Sequence, residues 1–306
     1  MLKASRGRWK TRLRNDWQIY VLLLPGVIYF IVFHYIPLYG IQIAFRDYKA
    51  ALGIMESPWV GWSNFITFFQ SYYCGRLIIN TLLLNVYSLL WSFPIPIILA
   101  LLLNRIRQEK FKKFTQTVIY VPHFISTVVM AGMLYIFLSP STGMINQIIT
   151  FLGGESIYFM AEAGWFRTVY IASGIWQSAG WNTILYIAAL TSVDQEIYEA
   201  ATLDGASVMQ KIRHIDLPSI LPIAVMMLIL NCGSIMGGDT QKALLLQTGS
   251  NTNTSDIIGV YVYNVGLGQA KYSYTAAIGL FQNLIGFVMI ITVNTLAKKL
   301  GSVSMF

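Results

Sequence analysis

The sequence predicts an all-α membrane protein with six transmembrane helices. Composition is the first indication, because 56% of the 306 residues are hydrophobic and only 11% are charged, which is too apolar for a soluble domain of this length. The second is that the apolar residues are concentrated in long stretches, each reaching the roughly 20 residues needed to cross a hydrocarbon core. These stretches are residues 17–43, 77–104, 115–138, 166–190, 218–238 and 275–297.

The basic residues predict the orientation of these helices. With six spans, both termini lie on one side together with residues 105–114 and 191–217, and this side holds fifteen of the 21 lysines and arginines. The opposite side holds Arg46, Lys49, Arg76, Arg167, Lys242 and Lys271. Cytoplasmic segments carry the excess of basic residues, so we expect both termini in the cytoplasm. The net charge of +8 is thus an orientation signal, and nucleic acid is not expected as a partner.

The first part of the chain divides into three predicted segments. Residues 1–16 form a basic cytoplasmic terminus, residues 17–45 the first transmembrane helix, and residues 46–76 an outer loop. The first apolar run is longer than the hydrophobic region of a signal peptide and lacks a small-residue cleavage site, so it is expected to remain as a membrane helix. In the second span, Pro94 and Pro96 are expected to cause a kink and to free backbone carbonyls.

The longest polar interruption deep in the chain is residues 199–218, which read EAATLDGASVMQKIRHIDLP. Apolar residues keep helical spacing up to Leu203, Asp204-Gly205 is a stop signal, and a second short helical pattern follows from Ala206. The glycine supplies the left-handed conformation that a tight turn requires, and Pro218 suits the first turn of the next helix. The pattern predicts a short helical hairpin at the membrane face.

This stretch resembles the EAA loop of the permeases of binding-protein-dependent ABC importers, whose pattern is EAA, three residues, Gly, nine residues and I-x-L-P. Every fixed position is filled at the correct spacing, by Glu199, Ala200, Ala201, Gly205, Ile215, Leu217 and Pro218. In that family the loop is the coupling helix, which sits in a groove on the cytoplasmic ATPase subunit. The resemblance implies that these residues and Asp204 form the ATPase-coupling site, in a loop at 196–218. A simple connecting loop packed on its own bundle is the alternative.

Other stretches resemble the polysaccharide-type branch of the carbohydrate importers, namely residues 20–45 and the sequence YVPHFIS at 120–126. The resemblance implies a type I importer permease fold, with a permease core at 77–297 and a cytoplasmic C-terminal segment at 298–306. Residues 237–255 depart from the family's pattern, which usually has an aromatic-acidic start and an Asn-Pro pair here.

The resemblance also implies an assembly. It consists of two permease chains, two cytoplasmic ATPase subunits and an extracytoplasmic solute-binding protein, in the lipid of a prokaryotic cytoplasmic membrane. The second permease chain is expected to differ from this one, which gives a heterodimer. ATP and magnesium are expected on the ATPase subunits, because this chain has no GxxxxGK[ST] motif, and the chain itself is not expected to be an enzyme. The implied activity is import of an oligosaccharide or polysaccharide fragment by alternating access.

Binding of a sugar requires hydrogen-bonding groups and aromatic faces. The polar and aromatic residues of the spans that we consider candidate substrate contacts are Asn80, Asn85, Trp176, Gln177, Trp181, Asn182, Asn231 and Asn283. Residues of these types also bond neighbouring helices or mark the membrane interface.

Other classes of function fit the sequence less well. A secondary transporter generally needs intramembrane ionisable groups or helices broken at the midplane, and the cores of the predicted spans contain no Asp, Glu, Lys or Arg. A membrane enzyme would need a catalytic constellation, and none stands out. No metal site is expected, because the three histidines are scattered and the two cysteines form no zinc pattern. Within the importer class, a substrate other than sugar stays open.

Overall fold

The computed structural model of the protein describes residues 16–299. The predicted basic terminus at 1–16 and the C-terminal segment at 298–306 therefore lie almost wholly outside the described residues. Within the described range the chain forms helices and no β-strand, apart from isolated bridges between Arg46 and Trp59 and between Lys49 and Gly53.

The helices used below are labelled in chain order. They are α1 (Trp17–Phe45), α2 (Cys74–Arg105), α3 (Glu109–Phe124), α4 (Thr127–Phe137), α5 (Ala163–Thr191), α6 (Gln195–Leu203), α7 (Val208–Gly233), α8 (Thr240–Leu246), α9 (Ile258–Gly266) and α10 (Tyr272–Lys299). Further short helices cover Gly53–Glu56, Ser63–Phe69, Met144–Phe151 and Thr252–Ser255.

The predicted spans are recovered to different degrees. In the described range four helices, α1, α2, α7 and α10, are long and apolar enough to cross a membrane, and α3 with α4 would make a fifth as a bent pair. The predicted fourth span corresponds to α5, whose 29 residues reach about 43 Å at 1.5 Å per residue. This helix is long enough to span, but Ser173, Gln177 and Asn182 make it more polar than the others.

The predicted continuous span at 115–138 is wrong in shape. The chain bends by 97° between α3 and α4. Pro122 lies in the last turn of α3, where it cannot donate a backbone hydrogen bond. Ile125 is extended, and Ser126 starts α4 as an N-cap whose hydroxyl accepts the Val129 N–H at 3.3 Å. The apolar run therefore contains a stop and a new start that hydropathy alone does not register.

Two helices change from α-helical to π-helical geometry just before a proline. α1 has a π turn at Ile31–Tyr35, two residues before Pro37, and α7 has one at Ile212–Asp216, two residues before Pro218. A proline ring clashes with the carbonyl one turn earlier and cannot bond to it. A π turn relieves this conflict without ending the helix. The chain consequently runs on through both prolines.

α5 is the central helix of the bundle. It has buried residues from Phe166 to Leu190 and packs against the second half of α2, against α7 and against α3. α1 lies at the periphery, with residues 17–39 exposed, and it contacts α10 through Tyr39–Phe45. The long apolar surface of α1 is consequently left for lipid or another chain.

Glycines set the spacing of two helix pairs. A Cβ atom added to Gly180 of α5 would lie 2.0 Å from the carbonyl oxygen of Ile119 in α3. One added to Gly286 of α10 would lie 2.2 Å from the carbonyl oxygen of Gly233 in α7. Gly180 thus allows α3 to approach α5 closely. Small residues at such crossings are typical of membrane helices.

The segment at 237–255, which departs from the family's pattern, is packed into the protein. Lys242 is only 4% exposed. Its ammonium donates a hydrogen bond to the Tyr170 backbone carbonyl and lies 4.3 Å from the centroid of the Tyr170 ring. Asn251 is 1% exposed and donates to the Met160 carbonyl at 3.0 Å. Bonds between side chains and backbone carbonyls therefore fasten this segment to the bundle.

Candidate functional site

The polar hairpin forms as predicted, and we define it as residues 194–218. Asp194 caps the first helix, α6, by accepting the Glu196 N–H at 3.0 Å. The helix ends in a Schellman turn, in which Gly205 has a φ of +75° and the Ala206 N–H bonds to the Ala201 carbonyl at 2.9 Å. The predicted positive φ of the glycine is confirmed.

The second half of the hairpin begins with a capping box. The Ser207 N–H donates to the Gln210 side chain at 2.7 Å, and the Gln210 N–H donates to the Ser207 hydroxyl at 3.3 Å. The helix that follows, α7, runs through the π turn into the membrane span, so Pro218 stands near the start of its regular part, Leu217–Gly233. The hairpin is thus directly continuous with a predicted membrane helix.

The hairpin exposes most of the residues that match the EAA pattern. Of the matching positions, Glu199, Ala200, Gly205, Leu217 and Pro218 are exposed, and Ala201 and Ile215 are half-buried. Asp204, the other predicted coupling residue, is also exposed. Leu203 is 89% exposed and Met209 is 70% exposed. Large apolar side chains that stand clear of their own protein mark interaction surfaces when they cluster. The tip of the hairpin thus presents apolar side chains that its own chain leaves uncovered.

The base of the hairpin holds a buried carboxylate. Asp216 is 0% exposed and forms an ion pair with Arg105 at the end of α2. Its other oxygen accepts the Tyr198 hydroxyl at 2.6 Å, and the Arg105 guanidinium carbon lies 5.8 Å from the Tyr198 ring centroid. The arrangement connects α2, α6 and α7.

A cavity of about 400 Å³ lies between α2, α5 and α7. Its lining is Asn85, Ser88, Leu89, Ser92, Phe93, Pro96, Asn182, Leu185, Tyr186, Met227, Leu230, Asn231 and Ser234. The lining residues include amides, hydroxyls and two aromatic rings, and none of them is Asp, Glu, Lys or Arg. The cavity can offer hydrogen bonds to a neutral polar solute but cannot offer a fixed ionic partner.

Prolines shape the α2 wall of this cavity. The helix is interrupted at Phe93, immediately before Pro94, as the two prolines predicted. Pro94 and Pro96 have no N–H, so the carbonyls of Leu90 and Ser92 lose their usual helical donors. Since Ser92 and Pro96 line the cavity, a backbone carbonyl without its helical donor is available there.

Three of the eight candidate substrate residues line this cavity: Asn85, Asn182 and Asn231. The Asn85 amide donates to the Thr81 carbonyl at 2.8 Å, and the Asn231 amide donates to the Met227 carbonyl at 2.7 Å. Their carbonyl oxygens remain as acceptors. Asn182 is exposed to the cavity and has no hydrogen-bond partner among the described residues.

Two further candidates are engaged within the protein. Asn80 is 4% exposed; its amide donates to the carbonyls of Asn253 and Asp256 at 2.8 and 3.2 Å, and its oxygen accepts from Arg167 at 3.0 Å. Gln177 donates at 2.7 Å to the carbonyl of Ile125, the residue at the bend between α3 and α4. Both side chains satisfy backbone groups that helices leave unpaired.

The remaining three candidates lie away from the cavity lining. Trp181 stacks on His123, with ring centroids 4.4 Å apart and planes 6° from parallel, and so it also packs on the bend. Trp176 is 47% exposed on α5, and Asn283 is exposed on α10. The structure thus brings three of the eight together and disperses the others.

Sequence reasoning missed the residues around Asp216. A signal was present, because an aspartate directly before Leu217-Pro218 stands at the start of a predicted span, where a carboxylate needs a partner. Arg105 ends another span on the same predicted side. Nothing in the sequence, however, indicates that positions 111 residues apart meet.

Comparisons with known proteins agree with this architecture. Residues 92–302 match the family described as "Binding-protein-dependent transport system inner membrane component". Two Bacillus subtilis proteins are similar over almost the whole length. The protein LplB is 42% identical over 100% of this chain and 96% of its own, and the polygalacturonan/rhamnogalacturonan transport system permease protein YteP is 43% identical over 98% and 93%.

A solved structure has the same fold. One chain of a bacterial alginate ABC transporter, in complex with an alginate pentasaccharide-bound periplasmic protein, superposes with a TM-score of 0.88 at 37% identity, covering 97% of this chain and 99% of its own. The family match covers more than half of the sequence, and the fold is that of a type I ABC permease. The chain therefore belongs to the family of inner-membrane components of binding-protein-dependent transport systems.

Proposed function

We propose that this chain is the permease subunit of an ATP-driven importer that moves an oligosaccharide across the cytoplasmic membrane by alternating access. The observation that carries the proposal is the uncharged polar cavity between α2, α5 and α7. Sugar hydroxyls both donate and accept hydrogen bonds, and amides and serines can do the same. A volume of about 400 Å³ lies within the range of ligand pockets.

The relatives support a saccharide as the substrate. YteP is described as a polygalacturonan/rhamnogalacturonan permease, and a third relative, 31% identical, as an arabinooligosaccharide permease. A second solved structure, 38% identical with a TM-score of 0.87, is of a bacterial ABC transporter involved in the import of the acidic polysaccharide alginate. An importer of a non-sugar solute is the second candidate, because the EAA pattern and the fold are common to both.

The topology that fits the proposal has six spans. α1, α2, α7 and α10 cross the membrane, the bent pair α3–α4 and the long helix α5 supply the other two, and both termini lie in the cytoplasm. This arrangement places the hairpin on the cytoplasmic face, where fifteen of the 21 basic residues would lie. The opposite face then carries the segment at 237–255 and would meet the solute-binding protein.

The assembly that fits the proposal has separate motor subunits. The exposed Leu203 and Met209 would enter a groove on an ATPase subunit, as an apolar helix face generally does. Two ATPase subunits would hold ATP and magnesium, and a second, different permease chain would complete the pathway. A secondary transporter is the less favoured alternative, because the cavity lining contains no ionisable carboxylate or amine.

Reconstituted transport tests the proposal. Proteoliposomes containing this chain, its second permease chain and the ATPase are supplied with the binding protein and with a labelled neutral or acidic oligosaccharide of equal length. Uptake should require both internal ATP and the binding protein. Uptake driven by an ion gradient without ATP would support the secondary transporter instead, and uptake of only a non-sugar solute would support the second candidate.

Cavity variants test where the sugar passes. Asn182→Leu should lower uptake by about tenfold, because a buried sugar hydroxyl left without its partner costs roughly 1–3 kcal/mol. Asn283→Leu, the same substitution on the exposed face of α10, is the matched control and should transport normally. Equal losses in both variants would remove the cavity from the pathway.

A further inference from the structure

Asp216 holds together three segments that are distant in sequence. It stands at the end of the π turn of α7, and its carboxylate contacts Arg105 of α2 and Tyr198 of α6. The three residues lie where the hairpin joins the bundle, away from its exposed tip. A carboxylate that is 0% exposed is tolerated only when it is paired and hydrogen-bonded, so these contacts are obligatory for the folded state.

Packing does not hold the first helix of the hairpin. α6 has no buried residue; Tyr198 and Ala201 are half-buried, and Tyr198 is the long side chain of the two. The Lys211 ammonium at the start of α7 also donates to the Thr202 hydroxyl at 2.7 Å, but that bond is exposed to solvent and lies close in sequence to the turn at Gly205. The position of α6 relative to α2 therefore depends mainly on Tyr198, whose hydroxyl contacts Asp216 and whose ring lies beside Arg105, and on the chain connections.

The contact among these three residues joins the two helices, α2 and α7, that form two walls of the cavity. Arg105 is the last residue of α2, whose residues 85–96 form one wall. Asp216 is continuous with α7, whose residues 227–234 form another. A displacement of α6 that is passed to Asp216 reaches α7 through the helix and α2 through the ion pair.

We propose that Arg105, Asp216 and Tyr198 are positioning residues that fix the hairpin to α2 and α7, so that a movement imposed on the hairpin is transmitted to both cavity walls. This inference rests on the proposed function, in which the ATPase supplies the movement. It assigns transmission to a specific buried contact at the base of the hairpin, whereas the exposed EAA residues supply docking. Docking without this contact would move α6 alone.

The decisive variant is Tyr198→Phe, which removes one hydroxyl and keeps the ring over Arg105. A hydrogen bond to a charged group contributes enough that its loss should favour release of α6 by about tenfold. ATP hydrolysis that is stimulated by the solute-binding protein, here called the receptor, should fall by a similar factor in the reconstituted complex. Hydrolysis without the receptor should be retained. Tyr72→Phe removes a hydroxyl from a side chain that is 89% exposed in the predicted outer loop and should behave as wild type.

A second measurement does not depend on ATP. A nitroxide on a cysteine at Glu196, an exposed position in the first turn of α6, reports the mobility of that helix in the assembled transporter. Native Cys74 and Cys232 are buried and are replaced by alanine. Tyr198→Phe should increase the label's mobility, and Tyr72→Phe should not.

Charge variants test the ion pair itself. Asp216→Asn and Arg105→Gln each strand a partner and should weaken stimulation more than Tyr198→Phe, and the double variant should be no worse than the worse single variant, as expected for residues that act together. Because either single variant can fail to fold, Tyr198→Phe decides the question. Wild-type mobility together with wild-type stimulation in Tyr198→Phe would overturn the inference. A wild-type complex that lacks receptor-stimulated hydrolysis would overturn the proposed function instead, and label mobility would still decide whether the contact holds α6.

Discussion

Gly286 provides a sharp test of how the helices pack. α7 and α10 meet through bare backbone, since a Cβ atom on Gly286 would lie 2.2 Å from the carbonyl oxygen of Gly233. Cβ atoms essentially never approach other heavy atoms more closely than 3.0 Å. In Gly286→Ala the two helices must therefore move apart locally by at least 0.8 Å, the difference between these distances. The obstructing atom belongs to the backbone, so no side-chain rotation relieves the contact.

The expected energetic cost follows from two opposing effects. Forcing an extra carbon into a packed interface typically costs about 1–3 kcal/mol. Replacing glycine by alanine inside a helix returns about 0.5–1 kcal/mol. The net expectation for Gly286→Ala is a loss of about 0–2.5 kcal/mol in the free energy of unfolding, with a central value of about 1 kcal/mol. The loss should appear as a lower midpoint of thermal unfolding for the purified protein in detergent.

The same helix contains the matched control. Gly279 lies two turns before Gly286 on α10, and a Cβ atom there would meet nothing within 4 Å. Gly279→Ala should be as stable as the wild type or slightly more stable, because it gains helix propensity without a clash. If Gly286→Ala and Gly279→Ala have the same midpoint, the close crossing of α7 and α10 is refuted.

Two other predictions concern the hairpin, and a third concerns the topology. Gly205→Val should leave membrane insertion intact but lower ATPase association and transport, because a β-branched residue at a φ of +75° costs about 1–3 kcal/mol; normal uptake by a well-expressed variant would contradict this. Glu199→Ala, and more weakly Glu199→Gln, should lower receptor-stimulated ATP hydrolysis while sugar binding by the receptor is unchanged, since docking on the ATPase would bury this exposed carboxylate against a basic or hydrogen-bonding group and losing one member of such a pair costs about 2–5 kcal/mol; a wild-type response would exclude Glu199 from the interface. A cysteine at Ser207 should be labelled only from the cytoplasmic side and one at Ser250 only from outside, and labelling of both from one side would mean a miscounted span.

The hairpin could be predicted because its signals are local. The stop at Asp204-Gly205 and the second helical pattern from Ala206 lie within about one turn of the structure they specify, and the spacing of the EAA pattern is also local. The apolar stretches were equally visible, since crossing a membrane requires length and composition only. Their positions correspond to helices α1, α2, α5, α7 and α10 in the described residues.

The bend between α3 and α4 could not be predicted from apolarity. Hydropathy averages over Pro122 and Ser126, so a stretch that turns by 97° looks like a straight span. The bend is stable because Gln177 donates to the free carbonyl of Ile125 and because Gly180 lets α3 lie against α5. Both partners are more than 50 residues away from the bend, and their proximity is a property of the fold.

The sequence likewise does not show which polar residues are bonded within the protein and which are free to bind a solute. Periodicity places an asparagine on a helix face, but it does not reveal whether a backbone carbonyl lies within reach of the amide. Asn80 finds two such carbonyls and an arginine, so its hydrogen-bonding capacity is largely used inside the protein. Asn182 finds none among the described residues and faces the cavity. A polar group in a membrane that the protein leaves unsatisfied needs water or a ligand, which makes Asn182, rather than Asn80, the residue through which this chain would bind a sugar in transit.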